Sequence, residues 1–274
     1  MRRSEPSGGN LDGCTLHTVE RVTPETGRPP ASHGIDVWLM DLSLFADGLS
    51  LFANPLSLEE RERAERLRTP LLRQRFLAVR AALRWLLGLQ LGIDPEDVAL
   101  VAGVHGKPLL AGSEADRGLV FNVSHAADRA ALALGWNRSL GIDIERIRPL
   151  RHRDALAERC LAADELSCWR AAPEAERQSR LFRHWVGKEA FGKATGLGIQ
   201  AGFDAISMDL EPLRISAVPP RFVPAAAWHL AELEVAADYV GCLCYNGPPC
   251  EVRVAELALH PALPKKFPNG PEMR

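Results

Sequence analysis

A pentad near the middle of the chain, Gly141-Ile142-Asp143-Ile144-Glu145, restricts what the molecule can fold into more than any other stretch. Successive side chains of a β-strand point to opposite faces. Alternation therefore sends Ile142 and Ile144 into a core and leaves Asp143 and Glu145 side by side on the other face. Two carboxylates that close repel each other unless something positive lies between them. A hard divalent cation with oxygen ligands, Mg²⁺ or Mn²⁺, meets that need. Two solvated acids on a half-exposed strand are the plain alternative, and the pentad alone leaves both open.

The rest of the chain narrows the class. Its 274 residues suit one large domain or two small ones. With 46% hydrophobic residues and a net charge of −2, it reads as a globular protein with no bulk attraction for nucleic acid or anionic membranes. No apolar run approaches the roughly 20 residues of a membrane span, and the N-terminus lacks the apolar stretch of a signal peptide. Six cysteines without CxxC spacing suggest neither a disulfide framework nor a zinc site. Cys242 and Cys244 alternate in an apolar run and read as core packing in a reducing cytoplasm.

Residues 1–34 are rich in Gly, Pro, Ser and Thr and read as a mobile arm. Residues 260–274, with four prolines, read as a loose tail. Between them the pattern is α+β. A strand opens at Ile35; Ser57 and Glu60 form a capping signature for a helix to about Arg68; Pro70 starts a second helix to Leu91. Phe76, Val79, Leu83 and Leu87 recur there at helical spacing. Arg73, Arg80 and Arg84 make a basic stripe beside them, with Arg75 on another flank. Strand-like runs follow at 98–101, 119–123, 129–136 and 140–145, then helix over about 154–194, then strands at 205–210, 227–235 and 239–245. Ala126-Ala127-Asp128-Arg129 and Ala236-Ala237-Asp238-Tyr239 echo each other, each ahead of an apolar run. The echo suggests two similar α+β halves, 35–137 and 138–259.

Three further clusters carry polar chemistry. Glu189 and Lys193, in Trp185-Val186-Gly187-Lys188-Glu189-Ala190-Phe191-Gly192-Lys193, are four apart on one helical face. Gly192 inside that helix costs roughly 1 kcal/mol against Ala, which suggests close packing or ligand approach. Phe121-Asn122-Val123-Ser124-His125 ends a strand with a hydroxyl and an imidazole. Gly106-Lys107-Pro108 adds a turn with one cation.

The order of these clusters resembles that of the 4′-phosphopantetheinyl transferases, in particular the surfactin-synthetase-activating type. The resemblance covers roughly Ile35 to Leu259 and rests on GIDIE followed about 40 residues later by WVGKEAFGK. It implies a pseudo-twofold α+β fold that binds coenzyme A in the cleft between its halves. It further implies that Asp143, Glu145 and Glu189 hold Mg²⁺, and that Lys107, Ser124 and His125 contact coenzyme A phosphates. By the same resemblance Arg75 serves the 3′-phosphate end, and of the two helix lysines Lys188 contacts coenzyme A and Lys193 faces the leaving diphosphate. Glu165 matches the acid of a short motif ahead of that helix, without an assigned role. Glu60 stands where some relatives carry a lysine, with Arg63 one turn on.

The implied reaction moves the 4′-phosphopantetheine group of coenzyme A to a serine of an acyl or peptidyl carrier protein, with Glu189 as base, in a monomeric enzyme. A metal-dependent diphosphate hydrolase and a non-catalytic coenzyme A or carrier-binding module are the alternatives. For carrier docking the expected residues are Arg151 and Arg153, with Arg159, Leu161 and Trp169.

Overall fold

The computed structural model describes residues 10–11, 14–22, 34–45, 55–103 and 107–257. The tail from 260, the Gly106 turn and most of the arm lie outside the described residues. The arm nevertheless supplies β1 (Asn10–Leu11) and β2 (Cys14–Val22), which corrects the expectation that all of 1–34 is mobile. The pairing that makes β2 a strand comes from a segment more than 200 residues away, so no local pattern announces it.

β3 (Ile35–Asp41) leads to α1 (Leu58–Glu65), whose Ser57 cap and Glu60 form the expected reciprocal capping box. Thr69 caps α2 (Pro70–Leu91), Pro70 fills its first turn where no amide is needed, and Gly92 ends it at φ 71°. The short β4 (Leu100–Ala102) and β5 (Pro108–Leu110) form a hairpin, and β6 (Leu119–Ala126) and β7 (Arg129–Trp136) a longer one.

β8 (Leu140–Arg146) carries the acidic pentad. The helical stretch after it is three helices rather than one: α3 (Arg153–Cys160), α4 (Ala163–Ala171) and α5 (Glu174–Thr195). Pro173, directly before α5, cannot continue a helix from α4. β9 (Ser207–Leu210), β10 (Leu213–Ala217), β11 (Trp228–Leu233), β12 (Tyr239–Asn246) and β13 (Val252–Leu257) complete the chain.

The halves repeat one topology. β3 is followed by α2 and the β6–β7 hairpin, and the strands lie in the order β3-β7-β6. β8 is followed by α5 and the β11–β12 hairpin, and the strands lie in the order β8-β12-β11. The two echoed turns meet, since the Tyr239 hydroxyl donates to Asp128 and to the Ala126 carbonyl at 3.3 Å. β13 leaves the second half and inserts, parallel, between β2 and β3.

Alternation along β8 follows the expected pattern. Ile142 and Ile144 are fully buried in a core shared by both sheets with Val37, Leu39, Ala131, Leu233 and Leu243. Each such burial contributes about 1.5–3 kcal/mol. On the opposite face Cys242 and Cys244 pack beneath α5 with Val186, Ala190 and Phe191, and Asp143 lies on that side, in register with Cys242. α2 covers the outer face of the first sheet through Leu83, Leu86 and Leu87.

Candidate active site

Gly141 sets the distance between β8 and α5, and Gly192 lets the chain after that helix fold back against it. A Cβ added at Gly141 would lie 2.0 Å from the Ala190 carbonyl and 2.4 Å from the Ala194 nitrogen. One added at Gly192 would lie 2.6 Å from the Gly198 carbonyl. The helix therefore rests on bare strand backbone, which brings Lys193 onto Asp143 and Glu189 into their shared field.

A seam between β6 and β8 forms the floor. The edges of the two sheets meet there through side chains instead of a backbone ladder. The Ile142 amide donates to Asn122 Oδ1 at 2.9 Å, and the Ile144 amide to Ser124 Oγ at 3.3 Å. Ser124 donates in turn to Asp143 Oδ1 at 2.8 Å. Lys193 Nζ reaches Asp143 Oδ1 at 2.7 Å, the Ile142 carbonyl at 3.1 Å and Ser124 Oγ at 3.2 Å. Asp143 Oδ2 is buried without a hydrogen-bond partner.

The acids strain against one another. Burial, and then the charge of Asp143, push the carboxyl groups of both Glu145 and Glu189 above the usual range. Burial, and then Lys193, hold the Lys107 ammonium below its ordinary value, and Lys107 Nζ donates to the Lys193 carbonyl at 2.9 Å. Among the described residues no three His, Cys, Asp or Glu side chains converge tightly enough to form a ready-made metal cage, and Lys193 holds the cationic place at Asp143. The donor set still suits Mg²⁺: three carboxylates, two with raised pKa, and one orphaned buried oxygen.

Two cavities meet at Lys193, Pro108 and Val123. One, of about 540 Å³, is lined by Phe121, Leu197 and Ile199 with Lys107 and Glu189. The other, of about 340 Å³, holds Asp143, Glu145, Ser124 and the exposed His125 at one end and Arg63, Phe76 and Arg80 at the other. The Arg63 and Arg80 guanidinium groups lie 5.6 and 5.5 Å from the Phe76 ring centre. Arg75 lines neither cavity, and its Nε is buried without a partner. Arg63 and Arg80 stand there instead, so it is the basic stripe beside Phe76 and Val79, and not the Arg75 flank, that supplies the cations. Glu60 turns inward to Arg84 at 2.6 Å.

Lys188 is not in the cleft, a correction to its expected contact with coenzyme A. It is fully buried, and its ammonium donates to Glu165, to the Cys160 carbonyl at 2.8 Å and to the Phe203 carbonyl at 2.7 Å. Glu165 also accepts from the Ala162 and Met208 amides, each at 2.7 Å. Burial raises its pKa, but the His184 imidazole 3.3 Å away and the Lys188 charge outweigh that and hold it below the usual range. Glu165 is therefore a strut beneath α5. The expected docking group changes as well: Leu161 and Trp169 are buried, and Arg153 pairs with Glu174 at 2.6 Å over the Trp169 ring.

Comparison with known proteins agrees with this architecture. Residues 139–244, which hold β8, α5 and most of β12, match the family model of the 4′-phosphopantetheinyl transferase superfamily. The chain is 37% identical over 202 residues to the 4′-phosphopantetheinyl transferase HetI of Nostoc sp., covering 74% of this chain and 83% of that protein. It is 34% identical over 156 residues to the 4′-phosphopantetheinyl transferase psf-1 of Bacillus pumilus, 57% of this chain and 64% of that one. It is 26% identical over 171 residues to the 4′-phosphopantetheinyl transferase Sfp of Bacillus subtilis, 62% of this chain and 74% of that one. Identity at that level across most of the HetI length, together with a family match centred on the acidic strand and its helix, places this chain in the 4′-phosphopantetheinyl transferase superfamily.

Proposed function

We propose that the protein transfers the 4′-phosphopantetheine group of coenzyme A to a serine hydroxyl of an acyl or peptidyl carrier protein. The observation that carries the reading is the junction of two cavities at Lys193, with Asp143 and Glu145 on the wall of the basic one and Glu189 on the wall of the apolar one. The serine oxygen attacks the β-phosphorus of the coenzyme A diphosphate. The bond to the bridging oxygen breaks, and adenosine 3′,5′-bisphosphate leaves. Such a transfer needs positioning and charge neutralisation more than covalent help. Mg²⁺, with Mn²⁺ accepting the same oxygens, would be held by Asp143, Glu145 and Glu189 and would neutralise the diphosphate.

The chain's own groups divide the remaining work. Arg63, Arg80 and His125 take the phosphates of the nucleotide end, and Phe76 offers a flat apolar face there. Lys107 and Lys193 stand on the diphosphate path, Lys193 offsetting charge on the leaving side. Glu189 removes the serine proton. The cavity with Phe121, Leu197 and Ile199 receives the pantetheine arm. Lys188 works within the protein instead of on the ligand, while Ser124, on the cavity wall, stands beside the coenzyme A phosphates. No described helix is long and apolar enough to cross a membrane, and we read the protein as a cytoplasmic monomer.

Intact mass of apo-carriers after incubation with the protein, coenzyme A and Mg²⁺ tests this reading. The expected result is a gain of one phosphopantetheine group, abolished by replacing the acceptor serine. Phosphate products without a mass gain would mark a hydrolase, and coenzyme A binding without turnover a binding module.

A further inference from the structure

The two oxygens of Asp143 have unequal surroundings. Oδ1 accepts from Ser124 Oγ at 2.8 Å and Lys193 Nζ at 2.7 Å, whereas Oδ2 is buried and has no partner. The Ser124 hydroxyl is itself fixed. The Ile144 amide donates to it at 3.3 Å and Lys193 Nζ approaches at 3.2 Å, so both lone-pair positions are engaged by donors. Its single proton then has one acceptor within reach, Asp143 Oδ1. Ser124 is 7% exposed and Asp143 6%, so water offers little competition for either bond.

We propose that Ser124 is a positioning residue for the metal carboxylate: by holding Oδ1 against the β6–β8 seam it turns Oδ2 toward the place of the divalent cation. One hydroxyl then joins the halves and aims the ligand, so closing the seam at Ser124 also assembles the site. Leaving a buried carboxylate oxygen bare is costly, and a cation at Oδ2 accounts for that cost. Asn122 supplies the comparison. It ties the same strand through the Ile142 amide but makes no bond to Asp143. If Ser124 only closed the seam, the two residues would behave alike.

The inference rests on the metal reading above, and the test separates the two. Mn²⁺ is titrated against the full chain saturated with coenzyme A, without carrier, and free Mn²⁺ is followed by electron paramagnetic resonance. Ser124→Ala is expected to weaken Mn²⁺ binding about tenfold or more, as loss of a group that orients a metal ligand does. Ser124→Thr, which keeps the hydroxyl, is expected to restore affinity toward wild type. Asn122→Ala is expected to lower the unfolding temperature with Mn²⁺ affinity unchanged. Equal Mn²⁺ affinity in wild type and folded Ser124→Ala overturns the assignment, as does an equal loss in Asn122→Ala. Should Ser124→Ala not fold, Ser124→Cys, close in size but a poor donor, carries the same comparison. A wild-type chain that takes up no Mn²⁺ overturns the metal reading itself.

Discussion

Lys188 and Glu165 form an ion pair sealed from solvent, one residue away from the carboxylate assigned as general base. The pair ties α5 to α4, while the remaining Lys188 donors reach the end of α3 and the Phe203 carbonyl. Removing one partner of a buried pair strands the other charge and costs about 3–5 kcal/mol. Lys188→Ala should therefore unfold at much lower urea, and Lys188→Met combined with Glu165→Gln should recover part of the loss. Coenzyme A affinity of the folded double variant, measured by calorimetry, should stay near wild type. A loss of affinity at unchanged stability would return Lys188 to the ligand.

Asp143→Ala should abolish transfer and also cost stability. Lys193 Nζ and Ser124 Oγ would lose their shared acceptor, an effect of about 1–3 kcal/mol. Carrier-labelling rate and urea midpoint measured on one preparation check both halves of this expectation.

Gly141→Ala tests the packing of α5 on β8 without touching a polar group. Its methyl group meets the Ala190 carbonyl and Ala194 nitrogen, and helix backbone yields only by moving. Glu189 and Lys193 would shift away from Asp143, so the expected result is a large fall in kcat. Unaltered kcat would mean that this close approach does not set the site.

The acids predict a pH signature. In the metal-free protein Glu145 and Glu189 have folded pKa values above their ordinary ones, so the fold favours their protonated forms. What they contribute to stability is greatest below the ordinary carboxylate pKa and is lost as pH rises through the raised values. Glu189→Gln, which stays neutral, should gain stability relative to wild type as pH rises, measured by thermal unfolding in a chelator. Metal uptake should release protons and strengthen with pH over the same window. A difference that stays flat with pH would remove the strained-carboxylate argument.

Arg80→Ala and Arg63→Ala should raise KM for coenzyme A, each losing a charge-assisted contact of about 1.5–3 kcal/mol. With dephospho-coenzyme A, which lacks the 3′-phosphate, a residue serving that group should cost little more. Full additive losses would place the arginines elsewhere along the ligand.

How far these residues were legible depended on the length scale of the signal. The period-two pentad gave the direction of Asp143 and Glu145 because a strand has one alternation to obey. Glu189 and Lys193, four apart, share a face, and Lys193 does reach the cleft. Lys188 lies five positions before Lys193, roughly 140° around the helix, and so points into the core. That angle was available in the sequence, but the shared motif masked it. Arg80 against Arg75 is a choice between flanks of α2, settled by how that helix turns against the sheet, and Arg63 joins Arg80 only once α1 packs beside it. β2 and β13 depend on partners far along the chain, and the Gly141–Ala190 approach exists only once α5 has packed.

The position of β13 bears on how the cleft can move. The chain passes from the first half to the second between β7 and β8, and returns between β12 and β13, where it is clasped by β2 and β3. A pair of lobes joined by one tether can swing like a jaw. These lobes are joined at two crossings and also share the core of Ile142, Ile144, Val37 and Leu39, so swinging them apart would expose that apolar surface to water. A cleft held in this way favours exchange of coenzyme A by side-chain movement at the rim over rotation of whole lobes.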